Sequence, residues 1–392
     1  MQPAERPVAS ESTDIMRSRN GVMVLGAGVA GAAIACELHR VGRLGALISP
    51  SSLEGSSHTN QKWLHSGALY PSSKVILEAW QQFRDMRPGI KKHVVAKNDS
   101  ARFLAVHPET ILKRKERFEK PEITDSGFKV RDLSKQEYSS IGSVGRTNAN
   151  AGLGAKDLVI SFPALIRELI ESIPAERVLL KHEAITVETG GSPRRVTAIR
   201  CRTASGEKVI QCDRCVLAAG AWTPLILAQS GITLDRPLVR KKCTVITFDR
   251  ELVPGITVCY DIKHFDPAEK ELVEADVSLV PYNGQTLAAG TGWARLSEEQ
   301  EPRTVQPTED EVNELLAELY QAFPLLRRFP GTPHTCIKTE LDTGGGPPNV
   351  LPKVFDQSEH GVDGLLVALP GKASLMFDLA ARVLDKVQVP TS

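Results

Sequence analysis

The tightest constraint on the fold is a glycine pattern held between two elements. Val22-Met23-Val24-Leu25 is a short apolar run, as expected of a strand buried on both faces. Gly26-Ala27-Gly28-Val29-Ala30-Gly31 follows, a GxGxxG turn. Behind it Ile34, Leu38 and Val41 recur at i, i+4 and i+7, with Glu37, His39 and Arg40 elsewhere on the wheel. That spacing predicts a helix with one buried stripe, closed by Gly42. In such a unit Gly26 permits the tight turn, Gly28 lets backbone approach a pyrophosphate, and Gly31 lets helix and strand pack closely, with Ala30 in the same turn. The helix N-terminus then offers N–H groups and a positive dipole end to phosphates. One part of the dinucleotide pattern is missing. A second strand over residues 44–48 should end in an acid for the ribose hydroxyls, yet Ser49-Pro50-Ser51-Ser52 stands there and the nearest acid is Glu54. Ser49 can bond a ribose hydroxyl, and hydroxyls beside a basic group can take a 2′-phosphate. An NAD(P)-dependent reductase therefore stays open.

Composition narrows the classes. A chain of 392 residues predicts two domains or one large α/β unit. The formal net charge of +1 gives no global pull toward nucleic acid, so no nucleic-acid partner is expected. No apolar run reaches the ~18 residues that span a bilayer, and residues 1–20 are polar, without a secretory core, and read as a disordered segment. The seven scattered cysteines fit reduced thiols and a cytoplasmic location. Cys212 and Cys215 form a CxxC that precedes an apolar strand and lacks a second pair, so it reads as core and no metal is expected.

Two distant segments extend the nucleotide end. Residues 196–217 read as a hairpin: "VTAIRCRT" alternates, "ASGE" turns and "KVIQCDRCVL" returns as one long strand. It runs into Ala218-Ala219-Gly220-Ala221-Trp222, small residues that let the chain pass close to a ligand. A short strand over residues 184–187 follows a helix near 162–173. At the far end, residues 364–369 form a buried strand, Pro370-Gly371-Lys372 breaks it, and a helix begins near Ala373. That turn is either a second anion site or a plain strand-to-helix connection.

These pieces carry a resemblance. "VMVLGAGVAGAAIACEL", "CVLAAGAW" and "GLLVALPGKASLMFDLAARVL" resemble FAD-dependent oxidoreductases of the D-amino-acid oxidase superfamily, over nearly the whole chain. The loop "SSHTNQKWLHSGALYPSSK" is similar to those of the glycerol-3-phosphate dehydrogenase and L-2-hydroxyglutarate oxidase and dehydrogenase branches, through Lys62, His65, Gly67 and Tyr70. Ser66 replaces a glycine of the first branch. The resemblance implies an α/β fold, FAD as cofactor, and hydride transfer from a CH–OH or CH–NH group to flavin N5. It also implies a discontinuous Rossmann-like FAD-binding domain over 21–85, 150–235 and 330–392. A substrate domain with a mainly antiparallel sheet would take 86–149 and 236–329. A non-catalytic flavin-fold binding protein is the remaining alternative.

Within that frame the cofactor wall comprises Ser49, Ser57, Lys62, Trp63, His65, Ser66 and Gly67, then Val187, then Ala219, Gly220 and Trp222, and finally Gly371, Lys372, Ala373 and Ser374. His65 is either a base for the substrate proton, suited by an ordinary pKa of about 6.5, or a histidine satisfied by backbone. Lys62 holds pyrophosphate, polarises the flavin, or faces solvent. Tyr70 closes over the ring, bonds a substrate carboxylate, or packs at the core edge. Lys372 either steadies negative charge near flavin N1 and C2=O or is an exposed lysine. Arg295, Lys338 and Lys353 are the cations that would meet a carboxylate or phosphate. The expected substrate is thus a small hydroxy or amino acid or phosphate-bearing compound. No motif reports the electron acceptor, whether oxygen, quinone or another flavoprotein.

Overall fold

The computed structural model describes residues 21–51, 55–70, 72–85, 88–95, 100–263, 276–290, 292–344 and 351–388. Residues 1–20, expected to be disordered, and Glu54 lie outside them.

Val22–Leu25 is the strand the apolar run predicts, and it lies inside a six-stranded sheet. Across that sheet the order is Lys353–Asp356, Leu365–Leu369, Cys215–Leu217, Val22–Leu25, Leu44–Ser49 and Val178–Leu180. All neighbours pair in parallel except the edge strand Lys353–Asp356. Parallel strands need cover on both faces, which is why they read as continuous apolar runs. Helices Val29–Arg40, Phe162–Glu171 and Met376–Gln388 cover one face. Antiparallel strands Glu183–Gly190, Arg194–Thr203 and Gly206–Gln211, with the helix Thr223–Gln229, cover the other.

The structure alters two sequence expectations here. The Val29–Arg40 helix is buried almost all round, Glu37 included, rather than along one stripe. Ala32, Ala33 and Ala35 let the sheet and two other helices approach it from several sides, and Glu37 answers Arg40 at 2.9 Å. The hairpin's long return strand is broken. Gly206–Gln211 ends the hairpin, and Cys215–Leu217 is a separate strand of the parallel sheet, because Cys212–Arg214 turn the chain between the two sheets. Cys212 and Cys215 are free thiols in the apolar core, as their sequence context predicts.

A larger, mostly antiparallel sheet follows the order Ala294–Arg295, Leu238–Phe248, Gln285–Gly290, Val277–Tyr282, Ile256–Tyr260, Ala101–Ala105, Ala151–Ala155 and Arg131–Asp132. Gly331–Leu341 joins it by pairing with Leu238–Phe248 residue for residue. Strands Ala151–Ala155 and Gly331–Leu341 therefore sit in this sheet by hydrogen bonding, on the other side of the boundaries expected at 150 and 330. Helix Glu309–Ala322, started by a Thr308–Glu311 capping box, packs against it.

Bonds from the segments that follow the parallel strands tie them to the large sheet. The Ser56 hydroxyl donates to the Ile337 carbonyl, Gln61 Nε2 to Ser278 Oγ at 2.9 Å, and Thr339 Oγ1 to the Gly220 carbonyl at 2.9 Å. A cleft of about 950 Å³ lies between the two sheets.

Candidate active site and cofactor cleft

One end of the cleft is built from the glycine turn. Gly26 has φ +106°, and a Cβ there would sit 2.6 Å from the Ala218 carbonyl oxygen. A Cβ on Gly31 would lie 1.8 Å from the Gly26 carbonyl oxygen, so Gly31 serves the close packing of turn and helix and does not itself line the cleft. Gly28 differs: its Cβ would meet only Ser57 Oγ, at 3.4 Å, and its open side is the cleft. Ala30 lines the cleft beside it. The first helical N–H, on Val29, donates to Ser57 Oγ at 3.0 Å. Ser49 Oγ turns back to the Ser51 carbonyl at 2.7 Å, and Ala219, Gly220 and Trp222 form the opposite wall.

Sequence reasoning missed the acid at this end. His182 N–H donates to the Ser49 carbonyl at 3.2 Å, which brings Glu183 to the cleft beside the strand end that lacks one. Glu183 accepts Arg303 at 2.6 Å, and Arg303 also lies 5.2 Å from the Trp222 ring, whose Nε1 donates to Glu301 at 3.0 Å. Val187 is four residues further along the same strand, past a register shift between Ala184 and Thr186 that breaks the alternation. It points into the core and lies outside the lining, a correction to its expected cofactor contact. No local signal names Glu183, because its place depends on the neighbouring strand's register.

The opposite end is built around His65. The Trp63-Leu64 pair forms a two-stranded ladder with Leu158–Val159, which brings Asp157 under the loop. Asp157 is fully buried. It accepts Trp63 Nε1 at 2.8 Å and the Ser66 N–H at 2.7 Å, bonds that flank His65 on both sides. Burial raises the Asp157 carboxyl to about 6, against these bonds, which favour the charged form. The His65 ring stands 4.1 Å from the Trp63 ring and 5.5 Å from Tyr70, between centroids. Its Nδ1 is buried without a hydrogen-bond partner among the described residues. Burial, then the charge of Lys372, hold the imidazole well below its usual pKa and keep it neutral. Asp157 escaped sequence reasoning because a lone acid beside Leu158-Val159 has no pattern until its partners are known.

Tyr70 is buried, lines the cleft, and has its phenol pushed up by burial. Lys372 Nζ lies 5.6 Å from the centre of its ring. Gly371, with φ +66°, and Ala373 line the cleft with Lys372, whereas Ser374 is buried behind them. From the large sheet comes Lys338. Its ammonium sits 4.0 Å from the centroid of Trp293 and 3.0 Å from Glu340, and both Lys338 and Trp293 line the cleft.

Several expected contacts go elsewhere. Lys62 is buried at φ +61°, and its ammonium donates to the Ser57 carbonyl at 3.3 Å and to that of His58. It fastens the loop from behind, and burial lowers it to about 8. Ser66 and Gly67 shape the loop without lining the cleft; a Cβ on Gly67 would lie 2.8 Å from the Ile76 carbonyl oxygen. Arg295 is exposed and paired with Asp342 at 2.9 Å. Lys241 separates it from Lys338 in the register, two strand spacings or roughly 10 Å away. Lys353 is exposed on the edge strand of the parallel sheet, again outside the lining. The cationic set that meets the cleft at this end is thus Lys338 and Lys372.

The residues present fit a dinucleotide cofactor. The glycine cradle and helix N-terminus stand at one end, and the cleft is long enough to reach an aromatic, cationic chamber at the other. Comparison with known proteins agrees. The family model described as DAO, FAD dependent oxidoreductase, matches residues 21–371. Glycine oxidase from Geobacillus kaustophilus superposes with a TM-score of 0.68 at 19% identity, covering 94% of each chain. L-proline dehydrogenase from P. horikoshii gives 0.71 at 14% identity, covering 95% of each. L-alpha-glycerophosphate oxidase from Mycoplasma pneumoniae, solved with FAD bound, gives 0.71 at 12% identity, covering 94% of each. At these identities the likeness speaks for the fold. No curated protein matches the sequence. Among the described residues, no helix is long and apolar enough to cross a membrane.

Proposed function

We propose that this chain, which belongs to the DAO family of FAD-dependent oxidoreductases, oxidises a CH–OH or CH–NH group of a small anionic compound. FAD, when bound, supplies the hydride acceptor at N5. The family decides for FAD over the nicotinamide alternative. The observation that carries the substrate class is the chamber where Lys338, resting on Trp293, and Lys372 face the cleft beside His65. Two cations in a partly desolvated chamber favour a carboxylate or phosphate. Glycine oxidase, L-proline dehydrogenase and glycerophosphate oxidase among the structural neighbours are named for compounds of this kind.

In this reading the cleft separates an FAD-binding domain from a substrate domain. Gly26, Gly28 and the start of the Val29–Arg40 helix hold the pyrophosphate. Glu183 and Ser49 hold the ribose hydroxyls. Lys338 orients the substrate anion, and Trp63 and Tyr70 exclude water from the chamber. His65 accepts the substrate O–H or N–H proton at its imidazole. Its depressed basicity recovers when an anion enters, because a negative charge nearby favours imidazolium.

Anaerobic mixing of the FAD-loaded protein with small 2-hydroxy and 2-amino carboxylates and polyol phosphates tests this. At least one should bleach the flavin band within seconds to minutes. If none does while chemical reduction proceeds normally, the protein is a flavin-fold binder and the proposal fails.

A further inference from the structure

We propose that Cys243 and Cys336 form a two-electron redox site in the cleft wall, converted by hydrogen peroxide from a dithiol to a cross-strand disulfide. Cys243 and Cys336 are directly opposite in the antiparallel register of Leu238–Phe248 and Gly331–Leu341. Opposed residues of an antiparallel pair have Cα atoms about 4.5–5.5 Å apart, and disulfides span about 4.4–6.8 Å. They also share a face of the sheet, so closure needs side-chain rotation and little backbone movement. Both are free thiols, 6% and 5% exposed. The residual exposure of Cys336 is to the cleft, whose wall it shares with Lys338 two residues along and with Ser278 and Ala289 of neighbouring strands.

The surroundings divide the two roles. The Cys243 thiol donates toward the Cys336 sulphur; that bond, with lesser help from Thr59, Lys62 and Lys338, pulls the Cys336 thiol below its usual range against burial. The same bond, with burial, pushes Cys243 well up. Cys336 lines the cleft and Cys243 does not, so Cys336 is the sulphur that an oxidant in the cleft meets first. The other interior cysteines contrast with Cys336. Cys201, Cys212, Cys215 and Cys259 lie outside the cleft lining, and burial raises each of them.

The chemistry balances with peroxide as the oxidant. The Cys336 thiolate attacks one oxygen of H₂O₂ and the O–O bond breaks. The sulphur becomes a sulfenic acid, and the departing hydroxide takes a proton to become water. Cys243 sulphur then attacks Cys336 sulphur; the S–S bond forms, the S–O bond breaks, and a second water leaves with the Cys243 proton. Two thiols lose two electrons and two protons in all. The disulfide would pin the strand that carries Lys338, so the cleft wall would report peroxide exposure. This holds whether or not the substrate class above is right.

Trypsin separates the two sulphurs, Cys243 within residues 243–250 and Cys336 within 329–338. The fully reduced, FAD-loaded protein is treated with peroxide, then denatured, alkylated and digested. The expected product is those two peptides joined, with the alkylatable thiols falling by two from the seven of the chain. In Cys243→Ser, which keeps a hydroxyl donor toward Cys336 but cannot close a disulfide, dimedone present during treatment should add to Cys336. Recovery of both wild-type peptides separately alkylated, or an unmodified Cys336 in Cys243→Ser, overturns the proposal.

Discussion

At the nucleotide end of the cleft, Gly26, Gly28 and Gly31 act through what their missing side chains leave open. At the other end His65, Tyr70, Lys338 and Lys372 act through side chains carried there by three separated segments. The first construction is local in its glycines, which lie within six residues, although Gly26 also makes room for the Ala218 carbonyl. The second is assembled at a distance, and its central residue is held in place by Asp157, which lies 91 positions from Ser66. The difference teaches that a backbone site tolerates little change in size, whereas a side-chain site depends on partners and charge.

Substitutions at the two ends should therefore fail differently, and the largest effect belongs to the glycine turn. Gly31→Ala puts a Cβ against the Gly26 carbonyl and should cost about 3 kcal/mol or more, read as a fall in melting temperature of the apoprotein. Gly28→Ala, at φ −68° and with only ordinary contact to Ser57, should leave that melt unchanged and weaken FAD binding by roughly tenfold in a fluorescence titration. Equal melting losses in the two would erase the distinction between a packing glycine and a ligand glycine.

His65→Ala should slow flavin reduction by about 10²–10⁴-fold while FAD content stays intact. Unchanged reduction kinetics would make His65 a part of the wall and remove the sharpest contrast between the two ends.

Asp157 gives a pH signature. Its folded carboxyl, at about 6, binds its proton more tightly than the ordinary aspartate value of 3.8 expected when unfolded. Stability from this group is thus greatest at low pH and is lost as pH rises from about 4 to 6, with a ceiling on the order of 2–3 kcal/mol. Urea melts of the wild type and Asp157→Asn should accordingly shift in the wild type's favour on acidification from pH 7 to 4. A constant difference across that range would mean that Asp157 is not buried as a strained carboxylate. The two bonds it makes to Trp63 and Ser66 would then position His65 by geometry alone.

The smallest effects separate the two cations of the large sheet that the sequence offers to a substrate anion. Lys338→Met should raise KM for an anionic substrate about 10–100-fold, the loss of a charged hydrogen bond of about 1.5–3 kcal/mol. Arg295→Ala, in an exposed pair with Asp342, should leave KM unchanged and stability within about 0.5 kcal/mol. A KM effect at Arg295 larger than at Lys338 would move the anion site out of the chamber.

The parallel sheet, the glycine cradle, the small-residue turn at residues 218–222 and the terminal strand–turn–helix were legible in the chain itself. Their causes lie in the phase of apolar residues and in glycine sterics, which act over a few positions. Even there, burial of the Val29–Arg40 helix on every side came from packing, since one helix's spacing does not say how many neighbours it has. The loop 56–74 was legible as the inner wall, through His65, Trp63 and Tyr70, but which of its residues face the cleft was decided by the fold. Lys62 turned behind the loop because positive φ and two backbone carbonyls drew it there. Arg295 and Lys353 lost their places to strand register and sheet edge, and Asp157, Glu183 and Cys336 acquired theirs by the same means. A side chain's partner depends on which distant strand lies opposite, and that information exists only once the strands have paired.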